Sequence, residues 1–325
     1  MRSMRNHPAI QLLLTPLSWV YGLSVAFRNY LFDKGILRSF SSPIPLVVVG
    51  NLIAGGTGKT PVVAWLSAVL GSQYRLAVLS RGYGRRSLGF QLAGSQPDPR
   101  IIGDEPAELK MLLPGTLIAV DRNRRRGIRK LASGSFGPVD LILMDDGFQH
   151  RQIRPGLSII LDDATRPMRS EKLLPAGLRR ESLNSLKRAD LVVRTRIPGF
   201  TYPKAETGSG NFLKPVILVT GIANPQPLVD HISLTHKIIR HLSYTDHHRY
   251  TAREATFIAS LCSRTSVPPY PILTTGKDYV KLIRFPELRD LGMEIVPART
   301  GIDPAVEKEI VAKIVDYVEK NRSNG

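Results

Sequence analysis

Residues 45–61 constrain this chain more than any other stretch. Pro45-Leu-Val-Val-Val-Gly50 is a short apolar, β-branched run closed by glycine, the pattern of a buried strand. It passes into Asn51-Leu-Ile-Ala-Gly55-Gly56-Thr57-Gly58-Lys59-Thr60 and then into an apolar helical run opening on Pro61. Proline suits a first helical turn, where its missing N–H costs no hydrogen bond. Strand, glycine turn and helix start together make an anion cradle, with backbone N–H groups and the positive helix end facing phosphate. Gly55, Gly56, Thr57, Gly58, Lys59 and Thr60 are the candidate nucleotide contacts. Lys59 has the reach for β- and γ-phosphates, and the Thr60 hydroxyl suits Mg²⁺. The strict pattern wants glycine at position 53, where this chain has Ile53; the Gly55-Gly56 doublet makes the turn instead.

Such a cradle needs a second strand ending in acid. Val139-Asp-Leu-Ile-Leu-Met-Asp145-Asp146 supplies it, and a carboxylate at that strand end lies beside the phosphate loop in a parallel sheet. The candidate metal set is therefore Thr60, Asp145 and Asp146, with Asp145 the firmer of the two acids because Asp146 can equally cap the following turn. No Asn-Lys-x-Asp guanine signature occurs, which leans toward ATP.

The chain has 325 residues, with 45 Lys+Arg against 27 Asp+Glu, a formal charge of +18. That length suggests two domains, and 42% hydrophobic residues exclude a disordered chain. The single Cys262 excludes a disulfide scaffold and fits a reducing compartment. The basic surplus implies anionic company: nucleic acid, phosphorylated ligands or an anionic membrane face. Pro8 to Phe27 carries no charge and sits between basic flanks. It reads as a spanning helix, a secretory signal, a helix lying in a membrane surface, or a helix packed on the protein's own core. Leu12, Val20, Leu23, Phe27 and Leu31 share one side, and Gln11, Thr15, Ser18, Gly22 and Asn29 another. A nucleotide requirement weakens the secretory reading.

Apolar β-type runs recur at 75–80, 116–120, 139–144, 158–161 and 190–194, separated by helix-like or loop segments. This alternation predicts an α/β fold with a doubly wound, mainly parallel sheet. Residues 198–211 read as a linker or exposed hairpin, followed by strand-like 215–219, 236–240 and 271–274, helix-like 252–262, and a final helix over about 303–320. The expected organisation is an N-terminal amphipathic helix (1–40), a phosphate-loop domain (41–212) and a smaller α/β domain (213–325), with the site in the cleft between the last two.

The phosphate loop together with Asp145-Asp146-Gly147-Phe148-Gln149-His150 resembles the tetraacyldisaccharide 4'-kinase family. Further segments carry the resemblance: Ser80-Arg81-Gly82-Tyr83-Gly84-Arg85, Gly103-Asp104-Glu105-Pro106, Leu174-Pro175-Ala176-Gly177-Leu178-Arg179, Gly221-Ile222-Ala223-Asn224-Pro225 and Asp246-His247-His248. One departure stands out: the family usually shows Thr-Glu-Lys-Asp where this chain has Thr275-Gly276-Lys277-Asp278.

The resemblance implies a P-loop kinase that uses ATP and Mg²⁺ to phosphorylate the 4'-hydroxyl of an acylated disaccharide 1-phosphate, a lipid A precursor, at the cytoplasmic face of the bacterial inner membrane. It implies Asp104 as catalytic base, with His247 from the second domain as its partner, alongside Lys59 and Arg179 at the transferring phosphoryl group. Glu105 would support the metal, and Arg81, Tyr83 and Arg85 would hold the sugar-phosphate headgroup. Spacing alone leaves Asp104 open as a helix cap, His247 as a turn histidine, and Arg180 as a solvated charge beside Arg179. The run Arg122, Arg124, Arg125, Arg126, Arg129 and Lys130 reads as solvated or lipid-facing surface. Two rivals are a soluble P-loop enzyme acting on a small metabolite and a nucleic-acid-binding ATPase. No nucleic-acid-binding module appears in the sequence, and no protein partner is inferable.

Overall fold

The computed structural model describes residues 8–55, 58–201, 214–265, 270–296 and 298–322. Gly56 and Thr57 of the phosphate loop lie outside them. Along the chain the principal elements are α1 (Pro8–Asp33), β1 (Leu46–Gly50), α2 (Lys59–Leu70), β2 (Leu76–Ser80), α3 (Asp104–Leu112), β3 (Leu117–Val120), α4 (Arg124–Ala132), β4 (Leu141–Asp145), β5 (Leu157–Asp163) and β6 (Leu191–Thr201). They continue as β7 (Lys214–Thr220), α5 (Gln226–Ser233), β8 (His236–Ser243), α6 (Ala252–Thr265), β9 (Ile272–Thr275), α7 (Gly276–Leu282), β10 (Met293–Val296) and α8 (Pro304–Arg322). Because β6 runs to Thr201, the linker expected at 198–211 is strand over 198–201 and otherwise falls outside the described residues.

Two compact units result, and they are not the contiguous blocks that the sequence suggests. The first combines residues 1–81, 123–197 and 301–325; the second combines 82–122 and 198–300. In the first, β6, β5, β1, β4 and β2 pair side by side, all parallel. Their runs are buried on both faces, as parallel strands covered by helices require. α2 packs over β1, β2 and β4, and α4 packs on β2.

The last helix belongs to this first unit rather than to a C-terminal domain. Ile310, Ile314 and Val318 of α8 are fully buried, each worth roughly 1.5–3 kcal/mol of burial. The Tyr317 hydroxyl accepts from the Leu46 N–H at 3.1 Å. Its ring stands where any side chain on Gly156 would go, so a glycine there admits the helix.

The second unit has its own parallel four-stranded sheet in the order β8, β7, β9, β10. Alternation along β7 splits its core in two. Ile217 and Val219 meet Ala255, Ile258 and Cys262 of α6 on one face, while Val216 and Leu218 meet Leu228 and Ile232 of α5 on the other. α3 packs on α7, which brings residues 104–112 beside 276–282.

α1 leaves its apolar side bare. Leu12, Leu17, Trp19, Val20, Leu23 and Phe27 are exposed, and only 6% of its most apolar 18-residue window is buried. The core-packed reading of this helix is therefore overturned. Its polar side is what meets the protein: Ser18 accepts from the Ala176 N–H at 2.9 Å, Tyr21 donates to the Arg180 carbonyl at 2.9 Å, and Asn29 donates to Glu181 at 3.2 Å.

Candidate active site

In the first unit the site begins where β1 ends. Gly58 holds φ +75°, a conformation that glycine adopts without cost, and starts α2 with no side-chain cap. Thr60 is buried in the first helical turn. Lys59, with 11% of its side chain exposed, extends to within 3.7 Å of an Asp146 carboxylate oxygen. Arg180 donates to both oxygens of the same carboxylate at 3.0 Å and to Gln149 Oε1 at 3.2 Å. Burial pushes the Asp146 carboxyl up, but Lys59, Arg180 and Arg124 outweigh it and hold the group below its ordinary value. Asp145, almost wholly buried at the end of β4, pairs through its backbone with Val49 of β1. The two acids are thus distinct: the ion pairs with Lys59 and Arg180 go to Asp146, the acid that the sequence ranked second. His150, at the end of the same motif, is held neutral at pH 7, its pKa lowered to about 4 by burial and by Arg124, Arg81 and Arg28.

The loop carrying Arg179 and Arg180 is stitched to the start of the phosphate loop. Ala54 donates to the Leu178 carbonyl and Arg180 to the Leu52 carbonyl, each at 2.7 Å, and Ile53 bridges Arg179. Neighbouring side chains in such an extended ladder point to opposite sides. Arg180 is therefore ion-paired to Asp146, not a solvated charge, while the half-buried Arg179 donates to the Met168 carbonyl at 3.3 Å. Nothing in the spacing of two adjacent arginines separates them; only the ladder does.

The second unit holds the other cluster. Asp104 is the first residue of α3, with Gly103 before it as the cap. A helix-capping role for Asp104 is thereby excluded. Gly103 sits at φ +96°, and a Cβ there would lie 2.8 Å from the Tyr83 carbonyl, so the turn into Asp104 demands glycine. His247 follows β8 at φ +58°, its own N–H donating to the Gly221 carbonyl at 3.2 Å. That turn aims Nδ1 at Asp104 Oδ2, 3.1 Å away, with the Tyr83 ring 5.7 Å from the imidazole. Burial tends to raise the Asp104 carboxyl, but the His247 hydrogen bond and the Lys281 and Lys277 ammonium groups hold it below its ordinary value. The bond to Asp104 raises His247, against burial and Lys277. The two residues do not come from separate domains: both belong to the second unit.

The remaining candidates are placed as follows. Glu105 pairs with Lys277 through one carboxylate oxygen, Oε1, at 2.6 Å. Arg81 lies exposed beyond β2 in the first unit, whereas Tyr83 and Arg85 belong to the second. Tyr83 is 70% exposed. Arg85 is buried, donating to the Gly89 carbonyl at 2.7 Å and bracing its own loop instead of offering a guanidinium to a ligand. In the basic run, Arg124 is buried, and Arg125 and Arg129 lie over the Phe40 ring at 5.9 and 5.1 Å.

Thr60 and Asp145 suit Mg²⁺, which takes one or two protein oxygens and completes its octahedron with phosphate and water. Among the described residues no cluster of three His, Cys, Asp or Glu side chains forms an all-protein metal cage.

A family model described as tetraacyldisaccharide-1-P 4'-kinase matches residues 10–315. The tetraacyldisaccharide 4'-kinases of Phocaeicola vulgatus and Bacteroides thetaiotaomicron are 35% and 36% identical to the chain, each over 96% of it and over 96% and 94% of their own lengths. The crystal structure of LpxK from Aquifex aeolicus in complex with ATP superposes with a TM-score of 0.75 at 26% identity, covering 95% of this chain and 99% of that one. A match that runs from α1 to α8 takes in the phosphate loop, the paired acids and the Asp104–His247 pair alike, and on that ground the chain belongs to the tetraacyldisaccharide 4'-kinase family.

Proposed function

We propose that the Asp104–His247 pair is the proton acceptor of an ATP-dependent kinase that phosphorylates the 4'-hydroxyl of a tetraacylated disaccharide 1-phosphate. The single observation that carries this reading is the 3.1 Å contact from His247 Nδ1 to Asp104 Oδ2 in a pair shifted toward imidazolium and carboxylate. A carboxylate kept ionised by a neighbouring cation accepts a hydroxyl proton as the oxygen attacks phosphorus. The first unit serves the nucleotide. Lys59 and the N–H groups at the start of α2 bind phosphate oxygens, and Arg179 stabilises charge on the transferring group. Asp146 holds Lys59 and Arg180 in place. Thr60 and Asp145 would hold Mg²⁺, which when bound neutralises phosphate charge.

The membrane belongs to the same reading. The bare apolar side of α1 and the exposed Arg125, Arg126 and Arg129 of α4 suit an anionic bilayer surface where the acylated substrate resides. ATP as phosphoryl donor supports a reaction at the cytoplasmic face. The test is to incubate the purified protein with labelled ATP and a panel of acylated disaccharides. Label on the 4'-oxygen of the 1-phosphate substrate is expected. Transfer only to water or to unacylated sugars would overturn the reading.

A further inference from the structure

One buried carboxylate reaches both members of the Asp104–His247 pair. Asp278, in the first turn of α7, is fully buried. Its Oδ2 accepts from the Gly221 N–H at 2.7 Å and from the Thr275 hydroxyl at 2.8 Å, while Oδ1 faces the Lys281 ammonium at 3.0 Å. Gly221, fixed through its N–H, accepts the His247 N–H on its carbonyl at 3.2 Å. A Cβ on Gly221 would lie 2.7 Å from Asp278 Oδ1, so glycine there lets the carboxylate close on the backbone. Lys281, one turn further along α7, lies 3.7 Å from Asp104 Oδ2, the same oxygen that meets His247 Nδ1 at 3.1 Å. Its ammonium is also 5.5 Å from the centre of the Tyr250 ring. A buried ammonium with an aromatic ring and two carboxylates around it is held from several sides.

We propose that Asp278 and Lys281 are positioning residues for phosphoryl transfer: the Asp278 carboxylate sets the His247 turn through Gly221 and the Asp104 carboxylate through Lys281. An aspartate carboxylate turns easily about its last side-chain bond. His247 and Lys281, converging on Oδ2 from two different elements, stop that rotation and present the base in one orientation. His247 itself stands at φ +58°, a conformation that a histidine keeps only where its neighbours enforce it, and the Gly221 carbonyl is such a neighbour. Displacing a reacting group by about 1 Å costs up to about a hundredfold in rate, which is the scale on which this scaffold acts. The departure from the family pattern at Gly276 leaves the scaffold intact, because Thr275 and Asp278 on either side of Lys277 and Gly276 make its contacts.

The proposal rests on the reading of Asp104 as base, and the test separates the two. Steady-state kinetics with ATP and the acylated disaccharide 1-phosphate are measured on the full chain carrying Asp278→Asn, Lys281→Met, both together, Asp104→Asn, or Asp104→Asn with Lys281→Met. Rates are referred to active sites counted by ATP-binding stoichiometry, so that misfolded protein does not register as a loss of kcat. Asp278→Asn and Lys281→Met are each expected to lower kcat by about tenfold or more with KM for ATP unchanged. Their combination should be scarcely worse than the worse single, because the two act as one unit. Should either single variant fail to fold by circular dichroism for want of a partner to its buried charge, the combination, which leaves neither charge, decides in its place. Adding Lys281→Met to Asp104→Asn should leave the residual rate within about twofold, since positioning acts only through the carboxylate. If that residual rate is too slow to measure, the split between kcat and KM decides. An unchanged kcat in the folded variants, a KM for ATP that rises with the fall in kcat, or an equal loss in the Asp104→Asn background overturns the proposal. An active Asp104→Asn would remove the base assignment and this role with it, whereas an inactive one beside unaltered Asp278→Asn and Lys281→Met removes only the positioning role.

Discussion

The Tyr21 hydroxyl donates to the Arg180 carbonyl at 2.9 Å, tying a helix with a bare apolar side to the loop that carries Arg179 and Arg180. Ser18 does the same from one turn earlier, donating to the Leu173 carbonyl at 3.2 Å and accepting from the Ala176 N–H. Deleting α1 would therefore remove loop support along with the membrane face. Point variants separate them. Leu12→Gln, Leu23→Gln and Phe27→Gln together are expected to abolish sedimentation with anionic vesicles while turnover of detergent-dispersed substrate is retained. Ser18→Ala with Tyr21→Phe should keep vesicle binding but lose activity by about tenfold or more, since the three hydrogen bonds removed contribute roughly 0.5–1.5 kcal/mol each.

Lys59→Ala and Asp145→Ala are each expected to abolish measurable turnover with the fold intact by circular dichroism. Removing a charged group that acts on the nucleotide costs on the order of 3–4 kcal/mol of transition-state stabilisation. Asp146→Asn should also fall steeply, because Lys59 and Arg180 lose their common anchor. Near-normal activity in Lys59→Ala would remove the phosphate-loop assignment.

Asp104 and His247 are expected to behave as one unit. Asp104→Ala or His247→Ala should lower kcat sharply and leave ATP binding unchanged, and the double variant should be scarcely worse than the worse single. Activity should fall on the acidic side as the carboxylate is protonated, at a pH below that of an ordinary aspartate. The linked stability has two edges. The lowered Asp104 contributes above the unfolded carboxylate value and is lost as pH falls through its folded one. The raised His247 contributes below the unfolded imidazole value and is lost as pH rises through its folded one. Losses that multiply in the double variant would break the pairing.

Asp140 is expected to report on the docking of α8. It accepts from Arg75 at 2.8 and 2.9 Å and meets Arg322 at 2.9 Å, and these bonds hold its carboxyl far below the usual range against the effect of burial. Its contribution is present above the ordinary carboxylate value and disappears as pH falls through the lowered one. Asp140→Asn should cost about 1 kcal/mol at pH 7, little because both arginines are substantially exposed. Thermal unfolding at pH 7 and in strong acid checks this: the deficit should shrink at low pH.

What the chain declares on its own is local. β1, the glycine turn and α2 are legible because a buried parallel strand is a continuous apolar run and an anion cradle needs glycine at fixed places. The absence of charge over 20 residues marks α1 as an apolar helix but leaves open whether its apolar face is buried or bare, and most strands of the two sheets are legible from their apolar runs, Met293–Val296 excepted. Tertiary structure decided what depends on distant partners. Asp104 and His247 lie 143 residues apart, and only the return of the chain after residue 197 puts them in one unit. Asp146 rather than Asp145 takes Lys59 and Arg180 because adjacent residues at a strand end diverge, one into the sheet and one into the turn at φ +52°. Arg85 turned inward, Glu105 turned to Lys277, and α8 returned to β1 through Tyr317 and Gly156. Periodicity marks which face of an element is apolar; which carboxylate meets which cation is set by packing, and a one-residue difference on a strand or turn reverses it.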